Sequence, residues 1–260
     1  MLQNYTIAGG VVTGVAPDPF RAPVRNMCAF GTFIYASMDE AGIMSYNTSG
    51  GGIAQLAHQG GKIDRLTVDS SGVLYATRQD GIWSNNAGAL AKLGNVGRNC
   101  NALIAGGAGT LYALTAHGAS SINTATGAVT PVARVTDTPF ANGTSYPICY
   151  LNNVIYATDD AQLNLWSLNT STGAVASIGN CLGQEIRAIV TDGTNLFMTC
   201  GQGTELWKCT VASLPGPGAF SKLGFVWNFP VDSMAYLSGK IWAATGGAWP
   251  DDPRTQFQYT

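Results

Sequence analysis

Six short stretches decide the fold: Ile34-Tyr35-Ala36, Leu74-Tyr75-Ala76, Leu111-Tyr112-Ala113, Ile155-Tyr156-Ala157, Leu196-Phe197-Met198 and Ile241-Trp242-Ala243. The aromatic residues stand at 35, 75, 112, 156, 197 and 242, so the spacings are 40, 37, 44, 41 and 45. A period of this length marks a supersecondary unit that cannot bury its apolar faces alone and stacks on its neighbours. It matches the length of one four-stranded radial sheet.

The rest of each unit agrees. An apolar strand and a tight turn precede the aromatic element, as in Met27–Phe30 before Gly31-Thr32 and Met234–Leu237 before Ser238-Gly239. A polar loop and a third strand follow, for example Ile43–Tyr46, Leu165–Leu168 and Leu206–Cys209. A Gly-centred hairpin turn (Asn47–Gly51, Thr124–Gly127, Thr170–Gly173) then leads into an outer strand such as Ala128–Ala133 or Ala174–Ile178. The sixth unit stops early, with only Gln256–Thr260 strand-like after Ile241-Trp242-Ala243. Tyr5–Val12 resembles the other outer strands and is expected to complete it, hiding the sheet edges. The expected fold is all-β: a six-bladed β-propeller of four-stranded antiparallel blades, closed by the N-terminal strand. Residues 1–260 are expected to form one domain with no linker.

The stretches Leu163–Gly179 (LNLWSLNTSTGAVASIG) and Leu111–Val132 (LYALTAHGASSINTATGAVTPV) resemble bacterial and phage β-propeller repeats of the YVTN-like or quinoprotein-like sort. In those, a Thr-Gly turn joins the two outer strands. The resemblance covers most of the chain at the level of blades and implies the propeller fold. It does not carry redox activity across, because fold does not imply function. Quinoprotein dehydrogenases usually have eight blades with a regular docking tryptophan. Here the count is six, and tryptophans fall irregularly at 83, 166, 207, 227, 242 and 249.

Composition narrows the function. The 260 residues carry 13 Lys+Arg and 15 Asp+Glu, a formal net charge of −2, so nothing electrostatic favours nucleic acid or an anionic membrane surface. Only 11% of residues are charged, against roughly 25% in an ordinary soluble domain. No apolar run reaches the roughly 18 residues of a membrane span. The opening MLQNYTIAGG lacks a basic start and an apolar core, so no secretory signal is expected. The six cysteines (28, 100, 149, 181, 200, 209) form no C-x-x-C, and His58 and His117 lie far from any cysteine pair. Free buried thiols are therefore expected, and neither a metal nor a cofactor.

In a propeller, inner-strand starts and the loops between second and third strands share one face, here called the top. By this map the top takes 22 of the 28 charged residues, while turns of the opposite face, such as Gly31-Thr32, Gly106–Thr110 and Asn152-Asn153, are mostly uncharged. Charge could follow loop length alone. Alternatively, the polar face meets solvent or a ligand and the charge-poor face packs on another protein, since interface cores are depleted of charge. The inner-strand starts gather Arg25, Asp64, Arg65, Asn101, Tyr146, Glu185, Arg187 and Asp232 around the channel mouth, the best candidate binding site. A closed ring of ion pairs and waters is the plainer reading of the same set. Trp249, in the long loop Gly246–Arg254, is a candidate for stacking on a sugar or anchoring a protein partner.

Hydrolytic chemistry finds little support. Asp159-Asp160 and Asp251-Asp252 are adjacent carboxylates, but no complete D-x-D-x-D-G loop accompanies them. No S-x-D-x-G-x-T-W box is present, and neither His58 nor His117 has a nucleophile elbow nearby. No enzymatic activity is expected. Few charges with many Gly, Thr, Asn and Ala suit an exposed surface protein. A virion protein made in the host cytoplasm and released by lysis reconciles that with the missing signal. The expected function is a non-enzymatic bacteriophage tail component, a rigid disc binding neighbouring tail proteins or a host receptor or glycan. A lectin-like, ligand-binding propeller is the first alternative, although no Trp/Arg/Glu set repeats in every blade. A glycan hydrolase or lyase is the second.

Overall fold

A strand buried on both faces needs an apolar residue at every position, and the aromatic triplets supply this. They sit on the second strand of each sheet: β4 (Phe33–Met38), β8 (Leu74–Arg78), β12 (Thr110–Thr115), β16 (Val154–Thr158), β20 (Asn195–Cys200) and β24 (Lys240–Ala244). The computed structural model describes residues 2–15, 20, 24–38, 42–57, 63–78, 81–85, 90–96, 100–107, 109–115, 118–134, 147–159, 161–211, 220–225, 227 and 230–244. Among these, 24 strands form six antiparallel four-stranded sheets and nearly no helix.

The inner strands are β3 (Val24–Phe30), β7 (Arg65–Val68), β11 (Cys100–Ala105), β15 (Ile148–Leu151), β19 (Ala188–Thr191) and β23 (Ser233–Leu237). Each packs on the next around the axis, and β23 packs on β3 to close the ring. Third strands are β5 (Gly42–Asn47), β9 (Gly81–Asn85), β13 (Gly118–Asn123), β17 (Asn164–Asn169) and β21 (Glu205–Thr210). Outer strands are β6 (Ile53–Ala57), β10 (Ala91–Gly94), β14 (Val129–Arg134), β18 (Val175–Asn180) and β22 (Phe220–Phe225). In all five of these blades the register between third and outer strand slips once. Such bulges raise local twist and protect an exposed edge.

The packing explains the triplet. Residues i−1 and i+1 of a strand face one way and residue i the other. Tyr75 packs with Leu111 and Ala113 of the following blade. Tyr156 does the same with Leu196 and Met198, and Phe197 with Ile241 and Ala243. Trp242 meets Ile34 and Ala36 of the first blade, so the closing joint is built like the others. Tyr35 and Tyr112, half-buried, occupy the same place in the two remaining joints. Each aromatic fills the space left by an aliphatic and an alanine on the next sheet, except Tyr156, which meets Leu196 and Met198.

The sixth blade corrects one expectation. Tyr5–Val12 is not a single outer strand. The N-terminus supplies two strands: β1 (Leu2–Thr6), third in its sheet and paired to β24 from Leu2↔Ala244 to Thr6↔Lys240, and β2 (Val11–Gly14), the outer strand. The turn between them contains Gly10, whose φ of 63° favours glycine. Leu2 and Tyr5 are buried, as a third strand between two neighbours requires. Gln256–Thr260 lies outside the described residues.

The turns of the lower face share one device. Asn47, Asn123 and Asn169 each accept two backbone amides of their own turn on Oδ1. The following Thr48, Thr124 and Thr170 each donate from hydroxyl and amide to a carbonyl of the inner hairpin, Thr32, Gly109 and Asn153 respectively, at 2.8–3.0 Å. This N-T-x-x-G element ties the two lower turns of a blade together.

Candidate functional site

The inner strands begin at the channel mouth, and each brings its first residues there. Arg25 is the second residue of β3 and Arg65 the first of β7. Arg187 and Asp232 immediately precede β19 and β23. These four side chains line a cavity of about 100 Å³ on the axis, floored by apolar residues such as Met27, Leu66, Ile148 and Met234. Asp64, Asn101 and Glu185 border the mouth without lining the cavity. Tyr146 and Trp249 lie outside the described residues.

Adjacent inner strands are bridged by side chains. Arg65 Nε donates to the carbonyl of Asn101, and Nη1 to the carbonyl of Asp64. Asn26 Oδ1 accepts from the amide of Leu66, and Thr67 Oγ1 from that of Ala105, both at 3.1 Å. Arg187 spans two blades, with Nη2 at 3.2 Å from Glu185 and Nη1 at 3.1 Å from Asp232. Those carboxylates are well exposed, so each contact contributes at most about 1 kcal/mol. Burial pulls the Arg65 guanidinium below its ordinary pKa, and the like charge of Arg25 pulls the same way; Cys100 and Asp64 oppose without reversing it.

One group was not legible as a site residue. Glu205 opens β21 with its side chain buried. It accepts from Lys222 Nζ at 2.7 Å and Trp207 Nε1 at 2.9 Å. Burial pushes its pKa up, but hydrogen bonds from Lys222, Trp207 and Gln184 outweigh this and hold it below the usual carboxylate range. It is therefore a fixed anion pinning outer strand to third strand. Asp159 is likewise committed: Oδ1 accepts the amides of Leu163 and Asn164, and Oδ2 the Asn164 side chain.

The cysteines are free. Cys149, Cys181, Cys200 and Cys209 share the apolar joint between the fourth and fifth blades. Burial pushes Cys209 up to about 11 and Cys100 up to about 12, and Cys149 and Cys28 higher still. A nucleophile needs the thiolate, which burial disfavours.

On the top rim, Leu182 is 81% exposed and holds a φ of 56° in the turn Cys181–Gln184. A left-handed leucine costs roughly 1–2 kcal/mol. Gln162 and Gln202, in neighbouring top loops, also have positive φ. The amide of Ile186 donates to the Gln162 carbonyl at 2.7 Å, linking the two loops. In the sequence Leu182 is marked only by a lone Leu-Gly pair ahead of Glu185 and Arg187.

No protein-family model matches the chain, and no curated protein matches it. Solved structures do. A Bacteroides thetaiotaomicron protein of unknown function superposes with a TM-score of 0.70 at 14% identity, covering 94% of this chain and 76% of that one. An auxiliary nutrient binding protein from the same organism gives 0.66 at 10% identity, with the same coverage of 94% and 76%. A chain of a nidogen/laminin complex gives 0.63 at 12% identity, covering 81% and 89%. At these identities the likeness establishes the fold, a β-propeller, and leaves the site to be argued from its own residues.

Proposed function

We propose that the chain is a non-enzymatic binding platform, a rigid wheel whose top face engages other protein subunits of an assembly. The observation that carries this is Leu182: a large apolar side chain, 81% exposed, fixed in a backbone conformation that leucine disfavours, in the connection that leads to Glu185 and Arg187. Strain of this kind persists where the surroundings over-determine it and often marks a binding ridge. The buried, paired and cysteine groups are spent on structure, which fits binding better than catalysis. Propellers that sit in protein complexes, such as the one with nidogen and laminin, make this use of the fold familiar. The specific setting we propose is a bacteriophage tail, with the chain in the virion and the top face toward a neighbouring tail protein or a host receptor.

The test is whether the chain copurifies at fixed stoichiometry with other structural proteins of one particle, and whether Leu182→Ser blocks its entry. The expected variant is a folded ring, with unchanged thermal midpoint, left out of the particle. A chain found only free, or a variant that enters equally well, overturns the proposal. A second reading, a small-ligand or glycan-binding propeller, is favoured by the axial cavity of about 100 Å³. Glycan-array binding by the isolated ring supports that reading.

A further inference from the structure

We infer that Cys181 and Cys200 are a latent disulfide, a covalent modification site that a peroxide closes between the fourth and fifth blades, whatever the top face binds. Cys181 stands just past β18, Cys200 ends β20, and both are wholly buried. Yet each heads a tight turn at the top rim. The amide of Gln184 donates to the Cys181 carbonyl at 3.2 Å, and that of Gly203 to the Cys200 carbonyl at 3.1 Å. The residues that follow lie at the surface: Leu182 and Gly183 in one turn, Gln202 in the other. The two turns face each other. A Cβ on Gly201 would lie 3.1 Å from Gln184 Oε1, so a side chain of the first turn rests on the backbone of the second. The sulfurs meet beneath these turns, where the Cys200 S–H donates to Cys181 Sγ.

Four thiols share this joint, and the turns single out two of them. Cys149 and Cys209 lie inside β15 and β21, held by ladder pairs to Tyr156 in the first case and to Leu196 and Phe220 in the second. Cys181 belongs to no strand, and Cys200 pairs with Glu205 at the last rung of its ladder. Sulfurs already in contact at element ends need little more than side-chain rotation to reach bonding geometry. The contact with Cys181, burial and the nearby Glu205 carboxylate all push the Cys200 thiol up, so it stays protonated while the turns are closed. When one turn opens, one thiol gives up its proton and attacks the O–O bond of hydrogen peroxide, leaving a sulfenic acid and one water. The second thiol attacks that sulfur, the S–S bond forms and a second water leaves. Two thiols are oxidised and one peroxide is reduced, and a dithiol reductant reverses the change. Because Leu182 follows Cys181 directly, the cross-link also fixes the turn that presents it.

The experiment uses the full chain, reduced, freed of reductant, treated with hydrogen peroxide and then quenched with N-ethylmaleimide in denaturant. Chymotrypsin, cutting after Tyr156, Phe197 and Trp207, places the four cysteines of the joint on separate peptides, which are read by mass spectrometry without reduction. The expected result is one joined pair, the peptides of Cys181 and Cys200, with Cys149 and Cys209 recovered as maleimide adducts. The oxidised ring should melt roughly 6–12 °C above the reduced one, the order expected for closing a loop of this length, and dithiothreitol should reverse the rise. Cys181→Ala and Cys200→Ala should each abolish both the joined pair and the rise, and the peptide map of the parent chain decides even if a variant fails to fold. Cys149 joined to Cys209 instead, chains joined to one another, or sulfinic or sulfonic acid at Cys181 or Cys200 overturns the pairing. So does recovery of all four free thiols after a treatment that oxidises the urea-unfolded chain. A joined pair that fails to raise the midpoint is a bond the native ring does not accommodate, and it overturns the inference as well.

Discussion

Trp242→Ala asks whether the ring's closing joint is as strong as the others. Trp242 is 6% exposed and packs with Leu2, Ile34, Ala36 and Met38, its ring 6.1 Å from that of Tyr46. A tryptophan buries about 150–250 Å². At about 25 cal/mol per Å² that is an upper bound of roughly 4–6 kcal/mol, and Trp→Ala in a core typically costs about 3–5 kcal/mol. One term runs the other way. Trp242 Nε1 is buried without a partner among the described residues, and removing such a donor returns about 1 kcal/mol, the low end of the usual penalty. The expected net loss is about 2–4 kcal/mol, a large part of the roughly 5–15 kcal/mol of an ordinary domain. Trp242→Phe keeps most of the contact and removes the unmet donor, so it should fall within about 1 kcal/mol of the parent. Phe197→Ala, at the preceding joint and 1% exposed, should cost the full 3–5 kcal/mol or so, having no such offset. Equilibrium urea unfolding, with m-values compared, measures all three. A loss under about 1 kcal/mol for Trp242→Ala, beside a full loss for Phe197→Ala, would mean the termini form a loose latch and would refute the equivalence of the joints.

Three further outcomes follow from local geometry. Gly127→Ala should destabilise by well over 2 kcal/mol, because φ is 72° and a Cβ would lie 2.1 Å from the Leu93 carbonyl oxygen; Gly183→Ala, at φ 75° with open space, should cost only about 1–2 kcal/mol by the same unfolding assay. Glu205→Gln should lose about 1–3 kcal/mol at neutral pH. Its pKa is depressed in the folded state, so that contribution is present above the ordinary glutamate value and lost as pH falls through the lowered one; the gap between parent and variant should close in acid titration of the thermal midpoint. Thiol reagent should label the native ring slowly at Cys149, Cys181, Cys200 and Cys209 and promptly once denaturant is added, as read by mass spectrometry.

What the residues disclosed, they disclosed by periodicity. The triplets were visible because every joint needs an aliphatic–aromatic–apolar pattern, with alanine third in five of the six and Met198 in the other, so selection for packing wrote them at a blade's length. The closure was misread at Tyr5–Val12 because the turn sits inside an apolar-looking stretch. The Gly9-Gly10 pair was the available signal, and Leu2–Thr6 carries the burial of a third strand. Contacts distant in sequence left no local mark. Arg187 meets Asp232 across 45 positions and Lys222 meets Glu205 across 17. The mouth residues were nominated by position alone, from the rule that inner strands start there.

The two faces of the wheel differ in how their polar groups are spent, and this bears on which face meets a partner. Below, Asp69 caps its turn through the amides of Ser71 and Val73, and Asp192 through those of Thr194 and Asn195. The turn asparagines and threonines are engaged in the same way. Groups satisfied internally lose little hydration when covered, so this face can be buried at low desolvation cost. The exposed turn residues Ala125 and Ser171 test the point. Ala125→Arg with Ser171→Arg places two guanidiniums there without touching the hydrogen bonds that hold the turns. If the lower face is a second contact of the proposed assembly, the double variant should keep its thermal midpoint and be excluded from the particle, as the proposal expects of Leu182→Ser. If it enters normally, the low charge of that face reflects short turns alone, and only the proposed top contact is left to test.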